Sequence, residues 1–207
     1  ATDVLAVVDG LGWSAPLGFG HSCGGSALLL AEQARPGTFA ALYCYEPIVL
    51  PTATPGRPVL DNPMSRAAGR RRERFASREE ARAHFAAKPP LDALDPAVLA
   101  AYVTHGFRTT DDGGVTLACR PHHEALIYAN GLAHDAWAHL GEVGCPVTVA
   151  HGAGSEVMGP DQARALAARL PRGRARTLPG LDHFGPLQNP AQVARAVLDD
   201  LVPTWSP

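Results

Sequence analysis

Short apolar runs alternate with helical segments near both ends of the chain. Of all the features of the sequence, this alternation most constrains which fold the chain can adopt. The predicted strands cover residues 16–21, 39–45, 145–150 and 174–178. The predicted helices that accompany them cover residues 1–13, 26–33, 159–170 and 190–201. Strands separated by helices pair in parallel, and the helices then cover the faces of the sheet. The pattern therefore predicts an α/β fold with about four parallel strands and flanking helices.

The middle of the chain, residues 51–137, breaks this alternation. It begins with a proline-rich segment and continues with an arginine-rich stretch of helical period at residues 65–87. A further helix is predicted to start at Asp95, which is followed by a proline at the first helical position. We expect a mostly helical cap that is inserted between the second and third strands as a lid. The α/β core is then formed by residues 1–50 and 138–207.

The composition excludes several classes of function. The chain has 207 residues, of which 46% are hydrophobic, and its 18 basic side chains are balanced by 20 acidic ones. The resulting net charge of −2 provides no overall field to attract nucleic acid or an anionic membrane. No apolar run approaches the roughly 20 residues of a transmembrane helix. We therefore expect a soluble globular protein that binds neither nucleic acid nor membranes.

The four cysteines are widely spaced and form no C-x-x-C pair: Cys23, Cys44, Cys119 and Cys145. Each lies in an apolar or glycine-rich stretch, so we expect free, buried thiols. The first residues show no basic region followed by an apolar one, as a signal peptide would. These features favour a reducing cytoplasm. The sequence contains no G-x-G-x-x-G or phosphate loop and no set of metal-ligand spacings, so neither a cofactor nor a metal is predicted.

The segment Gly20-His21-Ser22-Cys23-Gly24 matches the pattern G-x-S-x-G and lies between a predicted strand and a predicted helix. In that context the pattern is typical of a nucleophile elbow, a strained turn that holds the serine hydroxyl above the sheet edge. Glycine is expected to be required at both Gly20 and Gly24, because a side chain there would keep strand and helix from packing closely. The N–H of Cys23, at a helix start, is suited to stabilise an oxyanion. His21 is expected to pack beneath the turn.

A serine nucleophile needs a base, and the strongest candidate is His183. It lies in a loop after the last predicted strand, so it shares the carboxyl edge of the parallel sheet with Ser22. Ligands of open α/β sheets bind at that edge. The order of serine before histidine is also that of hydrolases with a nucleophile elbow. We therefore predict that His183 accepts the proton of Ser22.

Two carboxylates compete for the role of orienting this histidine. Glu46 immediately follows the second predicted strand, and Glu156 lies in a looser loop after the third. A carboxylate that ends an apolar strand is seldom an ordinary solvated charge. The sequence therefore favours Glu46 as the triad acid and leaves Glu156 as the alternate.

These residues together resemble the α/β-hydrolase superfamily, in its capped serine-hydrolase branch. In the most common version of that family the acid is an aspartate three residues past a glycine, after the strand that follows the cap. Counting from Gly152 leads to Ser155, which is not an acid. Some members instead carry a glutamate after the strand that follows the elbow, and Glu46 matches that position. The resemblance implies a triad of Ser22, His183 and Glu46.

The resemblance also implies that part of the fold is lacking. In complete members the elbow follows about four strands and two helices, whereas Ser22 follows a single predicted helix. We therefore expect a truncated chain without the early loop that normally supplies a second oxyanion donor. The strand at residues 16–21 would then be an open sheet edge, and such edges favour pairing with another chain. Self-association through this edge is expected.

The predicted function is hydrolysis of a small carboxylic ester or related acyl substrate through an acyl-enzyme. Within the enzyme class, the alternative is hydrolysis of a carbon–carbon bond, which uses the same kind of serine triad. The alternative from another class is a non-catalytic, truncated α/β-hydrolase-like protein that binds a ligand or a partner.

Overall fold

The computed structural model describes residues 1–53, 55–59 and 62–202. The strands are β1 (Leu17–His21), β2 (Ala41–Tyr45), β3 (Arg74–Phe75), β4 (Phe107–Thr109), β5 (Val115–Leu117), β6 (Val147–Gly152) and β7 (Gly173–Leu178). The α-helices are α1 (Thr2–Gly10), α2 (Cys23–Ala34), α3 (Pro63–Gly69), α4 (Arg78–Ala86), α5 (Pro96–His105), α6 (Pro121–Asn130), α7 (Pro160–Arg169), α8 (Gly185–Gln188) and α9 (Pro190–Leu201). These elements fall into two compact units.

The first unit contains the described parts of Ala1–Pro55, His134–Pro186 and Pro190–Pro207. Its sheet has the order β1-β2-β6-β7, and each neighbouring pair of strands is parallel. The α/β fold class predicted from the alternation of strands and helices is therefore confirmed. Helix α2 begins three residues before its predicted start, at Cys23.

Strand β2 is buried along its whole length, because both faces of the sheet are covered. Leu42 and Cys44 belong to the core on one face, and Tyr43 and Tyr45 to the core on the other. A strand buried on both faces needs apolar side chains at every position, which explains the continuous apolar run. This central strand brings its carboxyl end to the same edge as the end of β1.

Strand β1 lies at one end of the strand order, with β2 beside it. Gly18 and Gly20 are buried, whereas Leu17 and Phe19 are 37% and 46% exposed. An apolar edge of this kind is a template for pairing with a further strand. Self-association through β1 therefore stays a prediction.

The second unit contains the described parts of Gly56–Ala133 together with Leu187–Asn189. It holds α3 to α6 and a three-stranded antiparallel sheet of order β3-β5-β4, which the helical pattern of this part of the sequence does not predict. Asp95 caps α5 as predicted, since its carboxylate accepts the N–H groups of Ala97 and Val98 at 2.8 and 3.4 Å.

The arginine-rich stretch at residues 65–87 is not helical throughout, although its period suggested a helix. Helices α3 and α4 lie towards its two ends, and between them β3 pairs Phe75 with Val115. Phe75 is 4% exposed, and its ring lies 5.6 Å from that of Phe85 and 5.8 Å from that of Phe107. Burial of this aromatic cluster outweighs the intrinsic helix preference of the flanking arginines.

Two of the four cysteine predictions are wrong. Cys44 and Cys145 are buried as expected, whereas Cys23 and Cys119 are exposed. Cys23 reaches solvent because it lies in the first turn of α2, and Cys119 because it lies between β5 and α6. All four are free cysteines. None of the described helices is long and apolar enough to cross a membrane.

A buried carboxylate fixes the turn that leads from α2 into β2. Glu32 is 0% exposed, and its two oxygens accept the N–H groups of Gly37 at 2.8 Å and Phe39 at 3.0 Å. We expect Glu32→Ala to lower the free energy of unfolding by about 2–4 kcal/mol, because the buried N–H of Phe39 and the exposed N–H of Gly37 lose a charged acceptor. Urea unfolding measures the loss. Glu32→Gln keeps one acceptor and should lose about half as much; an alanine variant as stable as the parent would contradict this role.

Candidate active site

Ser22 lies in the turn between β1 and α2, where the motif predicts it, with φ 55° and ψ −122°. Positive φ values are rare for residues other than glycine, and such strain costs about 1–3 kcal/mol. Backbone hydrogen bonds hold the turn, because the N–H of Ser22 donates to the carbonyl of Tyr45 at 2.9 Å and its carbonyl accepts the N–H of Ser26 at 3.2 Å. The turn therefore has the strained backbone expected of a nucleophile elbow.

The close approach of β1 and α2 depends on Gly20 and Gly25. A Cβ on Gly20 would lie 2.6 Å from the backbone N of Gly25, and a Cβ on Gly25 would lie 3.2 Å from the carbonyl oxygen of Gly20. The prediction that Gly24 serves this packing is wrong, because a Cβ there meets nothing within 4 Å. Gly24 lies on the exposed side of the first helical turn, whereas Gly25 is turned towards the sheet.

Glu46 directly follows β2 and is completely buried. Its φ is 46°, so the residues that follow two neighbouring strands, Ser22 and Glu46, both have a left-handed backbone. Oε1 of Glu46 accepts the N–H of Gly152 at 2.9 Å, and Oε2 accepts the hydroxyl of Ser155 at 2.7 Å. Oε2 also lies 2.7 Å from Nδ1 of His183. Three donors around one carboxylate offset the cost of burying it.

His183 lies in the loop after β7, and 17% of its side chain is exposed. An ionised carboxylate only accepts hydrogen bonds, so Nδ1 of His183 carries the proton that faces Glu46. Nε2 then keeps its lone pair, which is the tautomer that a general base needs. Within the described part of the chain no hydrogen bond joins Ser22 to His183; such bonds often tighten only when substrate binds.

Two aromatic residues hold the backbone of the histidine loop. The hydroxyl of Tyr45 donates to the carbonyl of Asp182 at 2.6 Å, and Nε2 of His21 donates to the carbonyl of His183 at 2.8 Å. The rings of His21 and His183 have centroids 4.8 Å apart. His21 therefore faces the loop, and the expectation that it packs beneath the turn is wrong. Burial, together with the proximity of His183, lowers the pKa of His21.

The alternate acid, Glu156, is exposed in the loop after β6. No hydrogen bond or ion pair joins Glu156 to His183 among the residues that the structure describes. Ser155, which occupies the position of the usual acid, instead donates its hydroxyl to Glu46. Sequence reasoning missed the roles of Ser155, of Gly152 and of Tyr45. Of these residues only Ser155 has a signal in the sequence, because it stands three residues past Gly152, where the most common family pattern has its acid.

The arrangement has the parts needed for proton transfer and nucleophilic attack. A hydroxyl, a carboxylate and an imidazole follow β1, β2 and β7 at the carboxyl edge of one sheet. The N–H of Cys23 belongs to the first turn of α2, where backbone N–H groups have no acceptor within the helix. Among the described residues, no three His, Cys, Asp or Glu side chains are grouped to hold a metal ion.

Comparison with known proteins agrees with this geometry. Residues 1–196 match the model of a family described as the alpha/beta hydrolase family. A comparison with curated proteins gives no significant match. Among solved structures, the peroxisomal alpha-beta-hydrolase Lpx1 from Saccharomyces cerevisiae is similar with a TM-score of 0.79 at 20% identity, over 94% of this chain and 56% of that one.

Two further structures share the fold. E-2-(acetamidomethylene)succinate hydrolase matches with a TM-score of 0.75 at 18% identity, over 97% of this chain and 72% of that one. A thermophilic esterase from Thermogutta terrifontis matches with a TM-score of 0.64 at 21% identity, over 99% of this chain and 71% of that one. The chain thus spans little more than half the length of Lpx1 and under three quarters of the other two. Since the family model covers nearly the whole sequence and the fold is shared with these structures, the chain belongs to the alpha/beta hydrolase family.

Proposed function

We propose that this chain is a serine hydrolase that cleaves a carboxylic ester or a related acyl compound. The observation that carries the proposal is the 2.7 Å contact between Glu46 and Nδ1 of His183, at the sheet edge where the strained turn presents Ser22. Burying a carboxylate is costly unless it is paired and hydrogen-bonded, and Glu46 is held against an imidazole at the sheet edge where ligands of parallel sheets bind. The esterase with a similar fold supports the reaction class.

In the proposed mechanism Nε2 of His183 accepts the hydroxyl proton while Oγ of Ser22 attacks the carbonyl carbon of the substrate. The resulting imidazolium is stabilised by the carboxylate of Glu46, which stays ionised. Collapse of the tetrahedral intermediate breaks the bond to the leaving group, and His183 returns its proton to that group. Water then attacks the acyl-enzyme with His183 again as base, which releases the acid and regenerates Ser22.

The N–H of Cys23 supplies one donor to the oxyanion of this intermediate. Removal of one donor from an oxyanion hole typically lowers kcat by about 100- to 1,000-fold. Labelling of the nucleophile tests the proposal without requiring repeated turnover.

A fluorophosphonate probe tests the proposal directly, because it forms a stable bond only with an activated serine. We expect the folded chain to be labelled and Ser22→Ala to lose the labelling completely. Ser14→Ala, which removes an exposed serine from the loop before β1, is the matched control and should label at the parental rate. Absence of labelling in a folded parent, or labelling that persists in Ser22→Ala, would refute the serine-hydrolase proposal.

The alternative of a non-catalytic binding protein is supported by the exposed apolar residues of β1, Leu17 and Phe19. The labelling experiment separates the two proposals, since a binding protein needs no activated serine. Hydrolysis of a carbon–carbon bond shares the proposed triad with ester cleavage. A panel that pairs a p-nitrophenyl ester with a β-diketone distinguishes these reactions by their products.

A further inference from the structure

We infer that His21 and Tyr45 are positioning residues that set the orientation of the His183 imidazole by holding two consecutive backbone carbonyls. The inference deepens the proposed function and rests on it. Neither residue belongs to the proposed triad. Each reaches the histidine loop from the end of a different strand, His21 from β1 and Tyr45 from β2.

The strand register places these two side chains next to each other. His21 and Tyr45 are paired residues in the parallel ladder, so their side chains project from the same face of the sheet. Their rings have centroids 5.8 Å apart and meet edge to face at 67°. Because both strands end here, the pair forms a rigid platform whose two polar atoms project towards the loop that carries His183.

The platform holds the loop at neighbouring peptide units. The hydroxyl of Tyr45 donates to the carbonyl of Asp182, which also accepts the N–H of Gly185 at 3.0 Å. His21 donates to the carbonyl of His183 itself. The loop approaches Tyr45 so closely that a Cβ on Gly185 would collide with the phenol oxygen. The backbone on both sides of the Cα of His183 is therefore anchored to the ends of β1 and β2.

These anchors act on the imidazole through geometry. Glu46 fixes only Nδ1, and the ring can still rotate and translate about that contact if the backbone moves. A displacement of about 1 Å at a reacting group can cost up to 100-fold in rate. Holding the carbonyls of residues 182 and 183 prevents the imidazole from shifting about its contact with Glu46, so Nε2 keeps a single direction.

The tautomer of His21 follows from the same contact. A carbonyl only accepts hydrogen bonds, so Nε2 of His21 carries a proton and Nδ1 is the nitrogen that changes charge. Burial and the adjacent His183 disfavour the cation, which lowers the pKa of His21. A neutral His21 adds no charge beside His183 when that residue becomes an imidazolium in the proposed reaction. The position of His21 therefore suits a hydrogen-bond donor that carries no charge.

The test uses three variants of the full chain that change donors with little change of shape. Tyr45→Phe removes only the hydroxyl, His21→Phe keeps a ring but removes the donor, and His21→Gln keeps an N–H donor. We expect the first two to lower kcat for p-nitrophenyl acetate by about 5- to 30-fold with KM within about twofold, because the base is displaced while substrate binding is kept. His21→Gln should restore kcat to within about threefold of the parent.

Two further measurements distinguish positioning from a general loss of stability. In a His183→Ala background the same substitutions should cause no further loss of residual rate, since the group that they orient is absent. The NMR resonance of the His183 Nδ1 proton should shift in Tyr45→Phe and in His21→Phe but not in His21→Gln. Equal losses with and without His183, or parental kcat in both donor-less variants, would overturn the inference. Absence of Ser22-dependent labelling in the parent would refute the proposed function. An Nδ1 resonance that is unchanged in Tyr45→Phe and in His21→Phe would overturn the positioning role independently of that result.

Discussion

Glu46→Gln should lower kcat/KM for an activated ester by about 10³- to 10⁴-fold, the size of effect that loss of the triad carboxylate has in serine proteases. The substitution is isosteric, so packing around the buried side chain is retained. Two causes contribute to the expected loss. The negative charge that stabilises the imidazolium disappears, and the hydrogen-bonding pattern around residue 46 is changed. Initial rates of p-nitrophenyl acetate hydrolysis and the rate of phosphonate labelling both measure the effect.

The contacts of Glu46 show why an amide cannot replace it. Three donors surround the carboxylate: the N–H of Gly152 at Oε1, and the hydroxyl of Ser155 and Nδ1–H of His183 at Oε2. A glutamine has one oxygen and one NH₂ group. With its oxygen towards Gly152, its NH₂ faces His183 and favours the tautomer whose Nε2 is protonated and cannot act as a base. With its oxygen towards His183, its NH₂ opposes the N–H of Gly152, which leaves a buried donor without an acceptor.

Glu156→Gln is the matched control, because it makes the same chemical change at the other candidate acid. Glu156 is exposed, and we expect its amide variant to keep the parental rate. A large loss in Glu156→Gln together with parental activity in Glu46→Gln would reverse the assignment of the acid. The two variants therefore decide between the carboxylates in one experiment.

The sequence predicts the first unit well because the determinants of that unit are local. A glycine-bounded serine between strand and helix, an acid that ends an apolar strand and a histidine after the last strand each reflect neighbouring residues in the chain. The parallel sheet then brings these positions to one edge, as the contact between Glu46 and His183 shows. The G-x-S-x-G motif, strand-end position and the family resemblance together predict Ser22, Glu46 and His183, and their catalytic roles stay a prediction.

The remaining features depend on contacts between distant residues. The sheet of the second unit forms because Phe75 meets Phe107 and Val115, each more than thirty positions further along the chain, and a helical period in the arginines does not reveal those contacts. The hydrogen bond from Ser155 to Glu46 spans 109 positions, and that from Tyr45 to Asp182 spans 137. No local pattern marks such partners. The choice between Gly24 and Gly25 depends on a helical rotation that consecutive glycines leave undetermined.

Gly20→Ala is expected to destabilise the first unit by about 3 kcal/mol or more, at the upper end of the cost of overpacking. The new Cβ would lie 2.6 Å from the backbone N of Gly25 and 2.7 Å from the backbone carbon of Gly24. Both are atoms of the first turn of α2, so no flexible side chain can move aside. Relief requires displacement of the helix start, and this displaces Ser22 as well. Urea unfolding should show the lower stability, and phosphonate labelling of the folded fraction should be lost.

Gly24→Ala is the matched substitution at the other end of the same motif. A Cβ at Gly24 meets nothing within 4 Å, and alanine is favoured over glycine in a helix by about 0.5–1 kcal/mol. We therefore expect Gly24→Ala to be as stable as the parent or slightly more stable, with labelling of Ser22 retained. If both variants were destabilised equally, close packing at Gly20 would not be the reason for its glycine. A difference of the expected sign would show that the two glycines of G-x-S-x-G serve unequal purposes here: Gly20 lets strand and helix approach, whereas the close contact on the helix side is made by Gly25.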